Sequence, residues 1–172
     1  MIRSISMIMK VIKKQNNSKM CMICGMDNPF GVQAQFYELE DNRLCGLFSF
    51  KAEHQSYPGR VHGGMISAML DELAYRAYCV IAPKKLAVTL DLSTKYRKPV
   101  PYNTPLIGLG EIIKSTNRYF IAECKIIKNN EVLAEGTAKY LVLPNEKVTD
   151  ASYEDEMCYE IPDEIREIDL CD

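Results

Sequence analysis

The chain has 172 residues and a formal net charge of −2, from 21 basic and 23 acidic side chains. That length suits one domain with a sizeable core, and the near-neutral balance gives no overall field for nucleic acid. Seven cysteines at irregular spacing do not read as a disulfide framework and point to a reducing cytoplasm, and no apolar run approaches the roughly 20 residues of a membrane span.

The charge is uneven. Residues 1–20 carry five basic side chains and no acid, while residues 145–172 carry eleven acids and two bases. This divides the chain into a basic N-terminal extension (1–20), a globular body (21–144) and an acidic C-terminal tail (145–172). The head resembles a signal peptide only superficially, because Lys10 breaks its apolar run and no small-residue cleavage site follows. It reads as a dispensable extension or an upstream start. The tail, with its scattered apolar residues, reads as a solvated segment or a short docking helix after Pro162.

The body opens with Cys21-x-x-Cys24-Gly25 and a turn-rich Asp27-Asn28-Pro29-Phe30-Gly31. A structural zinc would need two more ligands nearby, and Cys45, Cys79 and Cys124 are scattered. Two readings stand, metal or redox chemistry and a pair of ordinary thiols, and no metal ligand is assigned. Val32–Glu40 and Leu44–Ala52 alternate as two strands around the turn 41–43. Glu53–Arg60 is a loop, in which His54 is structural.

The helix predicted from Gly63 to Ile81 ends before Pro83. Ile66, Leu70, Leu73, Ala77 and Val80 form its core stripe, and further apolar residues extend almost around it, so other structure must wrap it. Within it Asp71 is an unusual acid, since an unpaired buried charge costs several kcal/mol. Glu72, four residues before Arg76, reads as the acid of an exposed ion pair. The period then changes from 3.6 to 2. Leu86, Val88, Leu90 and Leu92 make one face of a strand running to Lys95-Tyr96-Arg97-Lys98. Leu106–Lys114, Tyr119–Lys128 and Val132–Leu143 are the remaining strands, with Asn129-Asn130 as a hairpin turn. The sum is α+β: a curved antiparallel six-stranded sheet around one long central helix.

The stretch Tyr57-Pro58-Gly59-Arg60-Val61-His62-Gly63-Gly64, continuing to Leu70-Asp71-Glu72, resembles the hotdog fold. More narrowly, residues 21–143 resemble the acyl-CoA thioesterase family related to the phenylacetate-pathway thioesterase. The resemblance implies Asp71 as general base or nucleophile and Gly63 as the backbone N–H donor to the thioester carbonyl. It also implies Thr89 as helper of the acid or its water, and His62 as a shaper of the carbonyl site. Some relatives carry an Asn six residues before this histidine to hold the water. Ser56 stands there in this chain, and Gln55 beside it is the substitute candidate.

The chemistry is consistent with those roles. A helix N-terminus has unpaired N–H groups at a positive dipole end, and Gly63 and Gly64 let a carbonyl approach without a Cβ in the way. Gly63 and Asp71 lie about 12 Å apart by helix rise, too far to serve one carbonyl. The spacing therefore favours a site built from two helices. A homodimer follows, or a dimer of such dimers, and the resemblance implies the same. Lys95 and Arg97, with Arg118, are candidates for the phosphates of coenzyme A. The expected activity is hydrolysis of an acyl-CoA to free coenzyme A and a carboxylic acid, with no cofactor, since coenzyme A is part of the substrate. No nucleic acid or membrane partner is expected. A non-catalytic acyl-CoA-binding protein and a hotdog dehydratase or hydratase are the alternatives.

Overall fold

A computed structural model describes residues 7–171. Residues 1–6, including Arg3 of the basic head, and Asp172 of the tail lie outside the described residues. The elements in order are β1 (Ile8–Lys14), β2 (Gln35–Leu39), β3 (Leu44–Phe48), α1 (Gly63–Ile81), β4 (Leu86–Tyr96), β5 (Leu106–Ser115), β6 (Tyr119–Lys128), β7 (Glu131–Leu143), α2 (Tyr153–Glu156) and β8 (Glu167–Asp169). Among the described residues the strands form one sheet in the order β4-β7-β6-β5-β3-β2-β1-β8. Every pairing is antiparallel. One long helix lies across this sheet, touching β3 to β7. This is the α+β hotdog arrangement, with α1 at the expected bounds.

The expected six strands are present, but the sheet has eight. The extra two are β1, from the basic head, and β8, from the acidic tail. They pair with each other through Met9 and Ile168. Their physical reason lies on the sheet face away from α1. There Tyr37, Leu39, Cys45, Ile107 and Ile127 form a second apolar cluster, which Ile168, Leu170, Met9, Val11 and Ile165 cover. The opposite charges of head and tail meet in the same region. Lys14 bonds Asp163 at 2.7 Å, and the Tyr37 hydroxyl donates to the same carboxylate at 2.6 Å. The tail is thus neither a plain solvated segment nor a helix after Pro162. Its short helical turns, a 3-10 turn at Asn145–Lys147 and α2, come earlier.

The contact between α1 and the sheet depends on small residues facing Leu73. A Cβ at Gly108 would lie 2.6 Å from the Leu73 Cδ1, and a Cβ at Gly110 would lie 2.6 Å from the Leu73 carbonyl oxygen. Leu73 itself is fully buried. A side-chain clash could be relieved by rotation, but the Leu73 carbonyl belongs to the helix backbone and cannot move alone. Gly110→Ala is therefore expected to destabilise the fold by about 1–3 kcal/mol through overpacking, measured by denaturant unfolding.

Candidate active site

Asp71 sits half-buried in the middle of α1, on the side facing β4. Two hydroxyls, those of Thr89 and Tyr140, hold its carboxylate. The Thr89 hydroxyl lies 3.0 Å from Oδ1 and 3.3 Å from Oδ2. The Tyr140 hydroxyl lies 2.6 Å from Oδ1 and 2.7 Å from the Asp71 carbonyl oxygen. Burial first, and the Asp71 charge next, push the Tyr140 phenol well above its ordinary range. It therefore stays protonated and donates. Its ring is fixed by stacking on Phe120 at 4.7 Å, which stacks in turn on Tyr78 of α1 at 4.1 Å.

Thr89 reaches Asp71 because of an irregularity in β4. Thr89 pairs with Tyr140 and Asp91 with Lys139, so Leu90 is an extra residue and the register shifts there. A bulge of this kind re-aims side chains. Thr89 and Leu92, of opposite parity, both face inward: Thr89 meets Asp71, and Leu92 packs on the core. The predicted single face of Leu86, Val88, Leu90 and Leu92 is thereby broken, and Leu90 is left exposed.

At the other end of α1, His62 is the N-cap. Its Nδ1 accepts from the Gly64 N–H at 2.9 Å, which requires the ring proton on Nε2. The His62 backbone N–H is taken by the His54 carbonyl at 2.8 Å. His54 is buried and bonded to Lys51 and Phe30, the structural role expected of it. The Gly63 N–H has no acceptor among the described residues. Between the two ends, Ser67 bonds the Tyr96 hydroxyl at 2.8 Å, and Tyr96 also donates to the Gly63 carbonyl at 3.1 Å. Gly63, Ser67 and Asp71, each four residues on, thus share one polar seam with β4.

Gln55 stands in the loop beside this N-terminus, bridged to Val61, with its Oε1 accepting from the Tyr102 hydroxyl at 3.3 Å. The basic candidates do not gather in one chain. Lys95 and Arg97 share Glu135, at 4.0 and 2.6 Å, and Lys98 pairs with Glu131. Arg118 lies by the opposite end of β4: its carbonyl accepts from Val142, which is across from Ala87. At about 3.3 Å per residue, that is roughly 25–30 Å from Lys95. Two hollows flank the seam. One, of about 390 Å³, is lined by Gly63, Ile66, Tyr96 and the cations Arg60, Arg97 and Lys98. The other, of about 700 Å³, lies past Asp71 between Tyr75, Ala87 and the tail residues Val148 and Tyr153.

Sequence reasoning missed Tyr140, Ser67 and Tyr96. Tyr140 had a signal: the inward positions of β7 run Ala134, Gly136, Ala138 and then Tyr140, a large hydroxyl-bearing ring after three small residues. The Glu72–Arg76 pair is a correction. Its 2.8 Å contact is not exposed, because Arg76 is only 3% accessible beneath residues 15–24.

Residues 58–135 match the family model of the thioesterase superfamily. Over 116 residues the chain is 30% identical to the mouse (Mus musculus) protein named acyl-coenzyme A thioesterase THEM4, covering 66% of this chain and 49% of that one. The chain thus spans about half the length of the curated relatives it matches. A thioesterase superfamily protein, RHA08564, superposes with a TM-score of 0.65 at 24% identity, over 71% of this chain and 63% of its own. BH2602 of Bacillus halodurans, solved with CoA, superposes at 0.57 and 24% identity, over 66% and 76%. At these identities the structural likeness concerns the fold. As an N-cap, His62 is expected to contribute about 0.5–2 kcal/mol. His62→Ala should lower unfolding stability by that amount, and His62→Asn, which keeps an acceptor, should recover most of it.

Proposed function

We propose that the protein, whose residues 58–135 match the thioesterase superfamily model, hydrolyses an acyl-CoA, releasing coenzyme A and a carboxylate. The observation that carries this reading is the Asp71 carboxylate held by Thr89 and Tyr140 on the same seam as the acceptor-free Gly63 N–H.

Asp71 is the general base. Oδ1 takes the short bonds from Tyr140 and Thr89, leaving Oδ2, with one 3.3 Å contact, as the freer oxygen to accept a proton from water. The hydroxide so formed adds to the thioester carbonyl carbon. The developing oxyanion is met by a Gly63 N–H at the positive end of α1, a contact typically worth about 2.7–4 kcal/mol. Collapse breaks the carbon–sulfur bond, and the departing coenzyme A sulfur takes the proton back from Asp71. Gln55 helps hold the water, and His62 fixes the turn that presents the Gly63 N–H.

The base and the oxyanion donor stand about 12 Å apart along one helix, so the site is completed between two copies. β4, a long edge strand in the sheet order, supports such a dimer, because its outer edge pairs with no other strand among the described residues. Arg60, Arg97 and Lys98 around the Gly63 hollow suit the phosphates of coenzyme A, with Lys95 and Gly64 beside them, and Arg118 is supplied from the other copy. The acyl group lies in the hollow past Asp71, beside Tyr75. We assign the protein to the cytoplasm because its seven cysteines stand at irregular spacings that do not read as a disulfide framework. Among the described residues no helix is long and apolar enough to cross a membrane.

A thiol-release assay across aliphatic and aromatic acyl-CoAs tests the reading. Asp71→Ala should lower kcat by about 10²–10⁴, the usual contribution of a positioned base. Tyr140→Phe removes a bond to a charged group, worth about 1.5–3 kcal/mol, and should cost roughly 10–150-fold in kcat. Tight acyl-CoA binding without turnover would overturn the proposal. So would full activity in Asp71→Ala, and heavy-oxygen label entering Asp71 during single turnover would overturn the base assignment. In light scattering the active species should be a dimer or larger, and an active monomer would refute the shared site.

A further inference from the structure

The side of α1 opposite the seam carries a second cluster that hydrolysis does not use. Cys21, Cys24 and Glu72 bring their ligand atoms within 4.8 Å of one another. Cys21 and Cys24 sit on a tight turn closed by the Gly25 N–H donating to the Cys21 carbonyl at 2.8 Å. Only glycine fits at its end, since a Cβ there would lie 2.4 Å from that carbonyl oxygen. The turn points the Ile23 N–H at the Cys21 sulfur, 3.3 Å away, and the Ser18 hydroxyl lies 3.3 Å from the Cys24 sulfur. The Ile23 N–H is a donor of the kind that favours sulfur carrying negative charge, while the Cys24 thiol donates to the Ser18 hydroxyl oxygen. Glu72 gives Oε1 to Arg76 at 2.8 Å and presents Oε2 to Cys21 at 3.9 Å.

We propose that Cys21, Cys24 and Glu72 form a site for one divalent thiophilic cation of the Zn²⁺ type. Tetrahedral zinc with Zn–S of about 2.3 Å and Zn–O of about 2.1 Å has ligand–ligand edges of roughly 3.6–3.8 Å. The 3.9 Å separation of the Cys21 sulfur and Glu72 Oε2 is one such edge within small adjustment. The electrostatics also close. A divalent cation, two thiolates, one carboxylate and the buried Arg76 guanidinium are neutral together, as a site this enclosed requires. Water takes the fourth position. The cation joins the Cys21–Cys24 turn to α1 one residue from Asp71, on the face that does not meet β4. Its role is therefore structural, a clip between the N-terminal segment and the central helix. The inference stands independently of the thioesterase reading.

Co²⁺ titration of the reduced full-length protein tests it, because thiolate-bound Co²⁺ gives a charge-transfer absorption. The wild type should saturate at one equivalent, and Cys21→Ser and Cys24→Ser should each lose most of the band. Glu72→Gln should keep the band with affinity lower by about tenfold or more. Added Zn²⁺ should raise the Tm of the wild type by several degrees and leave both cysteine variants unchanged. The cysteine variants keep the Glu72–Arg76 pair, so they remain interpretable if Glu72→Gln fails to fold. A wild-type spectrum shared by the cysteine variants would assign the metal to other thiols and overturn the proposal. No binding would overturn it too, as would a Cys21–Cys24 disulfide forming in place of metal binding. Unchanged affinity in Glu72→Gln would remove the carboxylate from the site.

Discussion

The polar seam between α1 and β4 is the contact on which the arrangement turns. Three helix residues four apart, Gly63, Ser67 and Asp71, face Tyr96, Thr94 and Thr89 of an edge strand. An apolar seam would pack as well, and a half-buried carboxylate costs several kcal/mol if left unpaired. Here the carboxylate receives donors from two strands and its cost is offset. A satisfied acid in fixed geometry is also a prearranged base. The same bonds thus stabilise the fold and orient the chemistry.

The seam is possible because every other side of the helix is settled by different means. The sheet side is closed by Leu73 lying against glycines of β3 and β5. The face carrying Arg76 is covered by the N-terminal segment, where Asn16 and Gln15 accept from the guanidinium and Phe36 stacks beneath it at 4.8 Å. That cover explains why Glu72 and Arg76, spaced as an ordinary surface pair, are buried. It also explains why the helix is apolar nearly all round. With these faces occupied, the β4 side is where an acyl-CoA can reach the helix.

Much of this was legible in the sequence, for reasons that differ by residue. The bounds of α1 and the presence of the six inner strands follow from local periodicity and from stops such as Pro83 and Asn129-Asn130, which act over a few residues, although the first two strands are shorter than expected, Gln35–Leu39 and Leu44–Phe48. The positive φ of 49° and 60° at the two asparagines is the turn their side chains tolerate. Asp71 was visible as an acid in an apolar helix, and the spacing to Gly63 pointed to two helices. β1 and β8 were not visible, because their charge pattern reads as solvated. They lie over 150 residues apart in sequence, and nothing local signals the second apolar cluster that they cover together. Glu72 as a neighbour of the CxxC turn was hidden in the same way. The third ligand is a carboxylate, and its i,i+4 spacing to Arg76 reads as a helical ion pair.

The bulge at Leu90 shows why strand periodicity alone could not complete the site. Strict alternation from Thr89 would send Leu92, Thr94 and Tyr96 to the face away from the helix. The extra residue reverses parity, so that Thr89 meets Asp71 while Thr94 and Tyr96 still meet Ser67. The two halves of the seam therefore belong to two registers joined at one residue. Helix positions four apart rise about 6.0 Å and same-face strand positions two apart about 6.6 Å, so spacing is nearly matched and parity is the obstacle: Thr89 and Thr94, five residues apart, would lie on opposite faces of a regular strand. The long Tyr96 side chain reaches back at one end and the bulge resets the aim at the other. The irregularity in β4 is what allows a straight helix and an extended strand to share a continuous line of hydrogen bonds ending at the carboxylate.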